Sequence, residues 1–158
     1  SSSAASDVYK RQLSRLIGLL QQQDAGSAML YTSDHGEDIV DDHRHLFLHA
    51  SPVPSYYQLH VPFIVWTSDT YREKYPEHMD ALQKNRHKSV ASNRVVFHSV
   101  LDLAGVTTTY VNDSLSVASP SYTEFPRFYL NDHNEPRSYD DIGLRKEDFE
   151  MFGKMGIR

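Results

Sequence analysis

The segment from Asp34 to His49 concentrates the residue types that bind metal ions and transfer protons. Its sixteen positions hold five acidic residues and four histidines: Asp34, Glu37, Asp38, Asp41 and Asp42 with His35, His43, His45 and His49. The adjacent pair Asp34 and His35 comes directly after a short apolar run that ends at Ser33. A carboxylate oxygen beside an imidazole nitrogen suits Zn²⁺ or Mn²⁺ better than it suits a metal that prefers thiolates.

The place of this pair in the chain matters, because neighbouring residues inside a strand point to opposite faces. If residues 28–33 form a buried strand, the pair lies at its carboxyl end, where the chain turns and both side chains can face one ion. Gly36 is expected to permit the sharp bend. Open α/β sheets bind ligands at that end of their strands. A solvated surface loop has the same composition, so the residue types alone leave both interpretations open.

Hydrophobic periodicity predicts the elements that would position the pair. Leu13, Leu16, Ile17 and Leu20 form one helical stripe. Residues 28–33 and 61–66 are continuous apolar runs, typical of strands covered on both faces, and Pro62 fits only the start or edge of such a strand.

Further elements follow along the chain. The charged residues 71–88 predict a solvated loop and a surface helix, and Ser92 or Asn93 is expected to cap an amphipathic helix that ends at Gly105. A last short helix is predicted from about Leu144 to Phe152. Helices alternating with buried strands indicate an α/β protein.

Composition excludes several classes of function. Lys and Arg number 16 against 21 Asp and Glu, a net charge of −5, so the basic face of a nucleic-acid-binding domain is not expected. The chain has no cysteine, which rules out disulfides, thiolate metal sites and thiol nucleophiles. Residues 1–12 are small and polar, and we interpret them as a non-native or disordered leader, with the natural protein extending upstream.

Four blocks of sequence resemble the alkaline phosphatase/sulfatase superfamily, and within it the membrane-anchored phosphoethanolamine transferases. The blocks are Tyr31–Glu37, Phe47–Pro52, Val61–Ser68 and Val96–Val106. The resemblance covers residues 13–106, the expected C-terminal part of a sulfatase-like catalytic domain. It implies an α/β fold that is the C-terminal portion of an alkaline-phosphatase-like sandwich, a mostly parallel sheet flanked by helices. Residues 107–158 are expected to form a C-terminal extension packed on or trailing this domain.

The resemblance also implies site residues. Asp34 and His35 match the metal-ligating pair of the family, with Zn²⁺ as the expected ion and Mn²⁺ or Ca²⁺ as alternatives. His49 matches a histidine that faces the phosphate-bearing substrate or a second metal, and is the expected catalytic residue. Glu37 is expected only to support the turn or the following helix. His43, His45 and His60 have no family counterpart and are expected to be surface or hydrogen-bonded histidines.

The implied function is the transfer of phosphoethanolamine from a phosphatidylethanolamine donor to lipid A or another envelope lipid or glycan. The family uses a Thr nucleophile that lies upstream of these residues, so this chain alone is expected to be inactive. An upstream transmembrane region would anchor the protein in the bacterial inner membrane, with the catalytic domain facing the periplasm. Ala50 departs from the family, which usually has Gly after the matching histidine, and leaves the substrate open.

Two alternatives remain at this point. A sulfatase or phosphohydrolase of the same superfamily usually has a Lys-bearing segment after the Asp-His pair, whereas the first lysine after His35 here is Lys74. A non-catalytic binding module on a decayed enzyme fold is disfavoured by the intact Asp-His pair and His49.

Overall fold

The computed structural model describes residues 2–49, 53–131 and 133–157. Ala50, Ser51 and Pro52, which close the second sequence block, lie outside the described residues. The helices are α1 (Ser2–Gln21), α2 (Tyr56–Leu59), α3 (Asp69–Lys74), α4 (Pro76–Asn85), α5 (Ser92–Leu103) and α6 (Lys146–Lys154). The strands are β1 (Ala28–Thr32), β2 (Asp38–Ile39), β3 (Phe47–Leu48), β4 (Phe63–Thr67), β5 (Phe128–Leu130) and β6 (Pro136–Ser138).

The described strands form three two-stranded sheets. β1 pairs with β4, whereas β2 with β3 and β5 with β6 form antiparallel pairs. β1 and β4 confirm the two predicted strands, and β4 begins one residue after Pro62, which has no N–H to donate to a ladder. Their side chains are mostly half-buried and Ile64 is exposed, so the two strands are not covered on both faces as predicted. Helices and strands are both present, which confirms a mixed α/β protein, while the mostly parallel sheet stays a prediction.

The chain divides into two compact units. The first comprises Ser1–Tyr31, Ile64–Arg86 and Phe97–Tyr122, and the second comprises Thr32–Phe63, His87–Val96 and Thr123–Arg158. Among the described residues, no helix is both long enough and apolar enough to cross a membrane.

The first unit has a core around Tyr71, Leu103 and Ala118. Tyr71 lies in the charged stretch that the sequence assigned to a solvated surface, and that interpretation is wrong for this side chain. The Ser68 hydroxyl caps α3 by accepting from the N–H of Tyr71, and it also accepts from the N–H of Ser27. These bonds turn Tyr71 inward at the start of α3, while the charged residues after it face solvent.

Two helix boundaries show how local sequence decides the ends. α5 ends as predicted, with Gly105 at φ +67°, a left-handed conformation that glycine adopts without strain. α1 starts at Ser2 and so extends through the segment for which no regular structure was expected. Ala4 and Ala5 are strong helix formers, which favours continuing the helix backwards from Leu13. The non-native origin of residues 1–12 stays a prediction.

Candidate metal centre

A short hairpin in the second unit brings a histidine and a carboxylate together. β2 and β3 pair with Asp38 opposite Leu48 and Ile39 opposite Phe47. Continuing this register by one residue toward the open end places Glu37 opposite His49. Directly opposed residues of antiparallel strands lie on the same face. Accordingly, Nδ1 of His49 lies 2.8 Å from Oε1 of Glu37.

His35 joins this pair from the turn after β1. The His35 and His49 rings have centroids 3.8 Å apart, and Nδ1 of His35 lies 3.7 Å from Oε1 of Glu37. His35, Glu37 and His49 each place one potential ligand atom within 4.8 Å of the others. The His49 side chain is 51% exposed, so the cluster is accessible to solutes.

The turn depends on Gly36, although for a different reason than the sequence suggested. The N–H of Gly36 donates to the carbonyl oxygen of Gln58 at 2.8 Å, which draws the turn against α2. A Cβ at this position would lie 1.9 Å from the carbonyl oxygen of Tyr57. Glycine is therefore required by the close approach of two backbones, rather than by a bend that only glycine can make.

Asp34 lies at the solvent edge of the cluster, with its side chain 86% exposed. Its Oδ1 accepts from the N–H of His35 at 3.1 Å, and Oδ2 lies 3.7 Å from Nε2 of His35. The hydrogen bond from the His35 backbone, its own backbone N–H and the nearby His35 ring lower the pKa of the Asp34 carboxyl. Asp34 is thus ionised over the pH range in which a metal ligand must be.

Hydrogen-bond partners decide which ring nitrogens are available to a ligand. Nδ1 of His35 lies 3.0 Å from the carbonyl oxygen of Gly36, which can only accept, so this nitrogen carries the proton in the neutral ring. The same argument places a proton on Nδ1 of His49, which faces the Glu37 carboxylate. The lone pairs are then on Nε2 of both rings, and Nε2 of His35 is the nitrogen beside Asp34.

Asp34 Oδ2 and Nε2 of His35 have the spacing of two of the three protein ligands that a catalytic zinc site uses. Tetrahedral zinc with bonds of about 2.0 Å separates neighbouring ligand atoms by roughly 3.3 Å. The 3.7 Å between Asp34 Oδ2 and His35 Nε2 needs to close by only a few tenths of an ångström. Metal-binding histidines usually donate their other N–H to a carboxylate or a backbone carbonyl, and both rings already do so.

The buried carboxylate of Asp38 anchors the base of the hairpin. Asp38 is buried and accepts from the Ser55 hydroxyl at 2.6 Å and from the Gln58 side-chain amide. Because Asp38 directly follows Glu37, these bonds hold the Glu37 backbone against α2. Asp38 was part of the acidic cluster in the sequence, yet its position on the inner face of the hairpin gives it a structural role.

The structure brings together His35 and His49 from the predicted set, with Asp34 beside His35. Glu37, which was expected only to support the turn, is the residue that sequence reasoning undervalued. The only sequence signal for this role was the spacing between Glu37 and His49, which matches a hairpin in which Ile39 pairs with Phe47.

The three histidines without a family counterpart, His43, His45 and His60, are surface or hydrogen-bonded residues, as predicted. His43 and His45 are exposed. Nδ1 of His60 lies 2.6 Å from the Tyr56 hydroxyl, and burial together with the charge of Arg127 lowers the pKa of His60.

Comparison with known proteins defines the family. The sequence model of the sulfatase family matches residues 9–106. The chain belongs to the sulfatase family. The match contains β1, the Asp34–His35 turn, the hairpin and α5, so the candidate centre lies inside the sulfatase-family region.

Named relatives of this sulfatase-family chain are phosphoethanolamine transferases. Phosphoethanolamine transferase EptA of Salmonella typhimurium is 31% identical over 110 residues, which cover 67% of this chain and 20% of the relative. The C-terminal periplasmic domain of EptC from Campylobacter jejuni is 28% identical with a TM-score of 0.55, over 72% of this chain and 35% of that domain.

A second solved structure is the C-terminal periplasmic domain of EptC from Escherichia coli in complex with Zn. It is 22% identical with a TM-score of 0.54, over 83% of this chain and 34% of that domain, which shows a shared fold. The chain spans about a fifth of the length of the curated relatives and about a third of the solved periplasmic domains.

Proposed function

We propose that this chain carries part of the active site of a zinc-dependent phosphoethanolamine transferase. The observation that carries the proposal is the turn at Asp34 and His35, where two potential ligand atoms lie 3.7 Å apart inside a sulfatase-family match. The curated relatives named above support the transferase activity, and the zinc complex of the Escherichia coli domain supports the choice of metal. Mn²⁺ and Ca²⁺ are the alternatives to test.

Asp34 and His35 would hold the metal, through the Asp34 carboxylate and Nε2 of His35. Bound zinc would supply Lewis-acid polarisation of a phosphoryl oxygen and activation of a hydroxyl nucleophile. Glu37 would act as the carboxylate that orients His49. With Nδ1 of His49 held by Glu37, its Nε2 would face the substrate and, when protonated, would donate to a phosphate oxygen or to the leaving group.

The rest of the reaction needs residues from a longer protein. We propose that a Thr upstream of these residues accepts phosphoethanolamine from phosphatidylethanolamine, and that lipid A or another envelope lipid or glycan then receives it. An upstream transmembrane region would anchor the protein in the inner membrane, with this domain in the periplasm. The periplasmic origin of the solved relatives supports that location.

We also propose that the fold of this chain is completed by residues upstream of it. β1 and β4 would belong to the mostly parallel sheet of an alkaline-phosphatase-like sandwich completed by upstream strands. In this view residues 13–106 belong to the catalytic domain and residues 107–158 form its extension. The isolated 158 residues should then show no turnover, and their unpaired strand edges should promote aggregation.

A sulfatase or phosphohydrolase is the second candidate, because the matching family model is that of the sulfatases. The identity of the upstream nucleophile separates the two, since Thr favours transfer and Cys or Ser favours sulfatase chemistry. A purified full-length protein that cleaves a sulfate ester but leaves phosphatidylethanolamine intact would select the sulfatase.

Single substitutions in the full-length protein test the proposal. Asp34→Ala or His35→Ala should abolish both bound zinc and the release of diacylglycerol from phosphatidylethanolamine, because an open catalytic site has few protein ligands to spare. His49→Ala should lower kcat by roughly 100-fold and leave zinc bound. His43→Ala, an exposed histidine of the same segment, is the matched control. Stoichiometric zinc in both ligand variants would contradict the assignment.

A further inference from the structure

Asp148 is a buried carboxylate in α6, far along the chain from the candidate centre. Its Oδ2 accepts from Nη1 of Arg44 at 2.8 Å and its Oδ1 from Nη2 at 2.9 Å, so the two side chains form a two-pronged ion pair. It also accepts from the backbone N–H groups of Tyr56 and Arg145, at 2.8 and 3.0 Å. Burial alone would raise the pKa of Asp148, but these donors outweigh it and the pKa is lowered.

Arg44 lies at the tip of the β2–β3 hairpin, and its side chain is buried. The same guanidinium also bonds Asp42, with Nε 2.8 Å from Oδ2, and the N–H of Arg44 donates to Oδ1 of Asp42 at 2.9 Å. Asp42 and Asp148 together accept from Nε, Nη1 and Nη2 of Arg44. The hairpin tip is therefore tied to α6 by charge-assisted bonds, which are stronger than neutral ones.

The hairpin needs such an anchor. Each strand has only two residues, and isolated two-stranded hairpins are at best marginally stable in water. Val40 and Leu48 adopt φ of +64° and +62°, left-handed conformations that are strained for side chains of this kind and persist only when the surroundings hold them. Leu48 is followed directly by His49, so a hairpin that opens also separates His49 from Glu37.

We infer that Asp148 is a positioning residue of the site: through Arg44 it fixes the hairpin that holds His49 against Glu37. The inference rests on the proposed function for the role of His49. It assigns a purpose to part of the extension 107–158, which lies outside the family match of residues 9–106. The C-terminal extension then helps to position a residue of the site.

The experiment compares four variants of the full-length protein by hydrogen exchange of the peptide covering residues 37–49 and by steady-state kinetics. Asp148→Asn removes the charge with little change in shape and should speed exchange in this peptide by about 10-fold. Arg44→Lys keeps the charge but loses the two-pronged contact, and should have a smaller effect in the same direction. Glu150→Gln breaks an exposed ion pair on the same helix and is the matched control. Phe152→Leu weakens the packing of α6 on Tyr56 without touching Arg44, and controls for stability.

The kinetic measurements test whether Asp148 acts through His49. Asp148→Asn should lower kcat by about 10-fold with KM and bound zinc unchanged, and should have little further effect in a His49→Ala background. Faster exchange in Asp148→Asn without any loss of kcat would overturn the positioning role, as would an equal loss of kcat in Phe152→Leu. If Asp148→Asn does not fold, Arg44→Lys decides on the same criteria. The wild-type protein could show no transfer activity while exchange is still faster in Asp148→Asn than in the wild type. That result would contradict the proposed function and leave the hairpin anchor standing.

Discussion

Each of the two units contains a histidine–carboxylate cluster, and the two clusters differ in accessibility. In the first unit, Nδ1 of His78 donates to the Tyr71 hydroxyl at 2.8 Å, and the hydroxyl donates to the carbonyl oxygen of Leu103. Nε2 of His78 lies 3.5 Å from Asp102, which also accepts from the buried Ser116 hydroxyl. The His78 side chain is 13% exposed, against 51% for His49.

The difference shows that residue types do not by themselves make a site. Ser116, His78 and Asp102 are the types found in hydrolase active sites, yet Ser116 donates to the carboxylate instead of to the histidine and has no access to solvent. Burial also raises the pKa of Tyr71 to about 12, so its hydroxyl stays neutral and fills its hydrogen-bonding positions. In the cluster around His35 and His49, in contrast, both histidine side chains and the Asp34 carboxylate are accessible to solvent.

The largest expected effect is on the turn that holds the open cluster. Gly36→Ala should destabilise the protein by about 3 kcal/mol, because its Cβ would overlap the Tyr57 backbone and force the turn away from α2. Zinc binding should fall with it. Gly153→Ala is the matched control, since nothing lies within 4 Å of its Cβ, and it should stabilise α6 by about 0.5–1 kcal/mol. Chemical denaturation measures both, and equal stability of the two variants would contradict the close-approach argument.

The next effect separates the two clusters directly. His78→Ala should lower the free energy of unfolding by about 2 kcal/mol, because the buried Tyr71 hydroxyl loses one of its two hydrogen bonds and Asp102 loses the neighbouring imidazole. Its zinc affinity should equal that of the wild type. His49→Ala should change stability by no more than about 0.5 kcal/mol, as is usual for exposed side chains. Denaturation midpoints measured beside zinc titrations test this contrast, and a loss of zinc in His78→Ala would break it.

The smallest expected effect concerns pH. The hydrogen bonds from Arg44 lower the pKa of Asp42 to about 2. A carboxyl whose folded pKa lies below its unfolded value of about 3.9 adds stability above that value and loses it as the pH falls through the folded pKa. The loss between pH 4 and pH 2 should be about 1 kcal/mol after allowance for solvent screening.

Asp42→Asn should remove this acid-dependent part of the unfolding free energy. Asp69→Asn changes a carboxyl that is almost fully exposed, and the variant should keep the wild-type acid dependence. Urea unfolding of the three proteins at pH 5 and pH 2.5 makes the comparison. An unchanged acid dependence in Asp42→Asn would show that the Arg44 contact contributes nothing to stability.

The sequence predicts those parts of the structure that local patterns determine. β1 and β4 follow from apolar runs, and α5 from its periodicity and Gly105. The Asp34–His35 pair follows from its place after β1. Each of these features depends on residues that are close along the chain.

The features that sequence reasoning missed depend on distant contacts or on strained backbone. Two-residue strands give no measurable alternation, so the hairpin that pairs Glu37 with His49 could not be recognised. Arg44 and Asp148 stand 104 residues apart, and no local pattern connects them. Tyr71 is buried against Leu103 and Ala118, which are distant along the chain, although the surrounding composition is charged.

The central claim is that Asp34 and His35 hold the metal while Glu37 orients His49. An anomalous difference map at the zinc absorption edge, from crystals of the zinc-loaded full-length protein, tests it most directly. We expect a peak about 2.0–2.2 Å from the Asp34 carboxylate and from Nε2 of His35, with Glu37 still hydrogen-bonded to Nδ1 of His49. A peak bonded to Glu37 and Nδ1 of His49, or no peak at this turn, would contradict it.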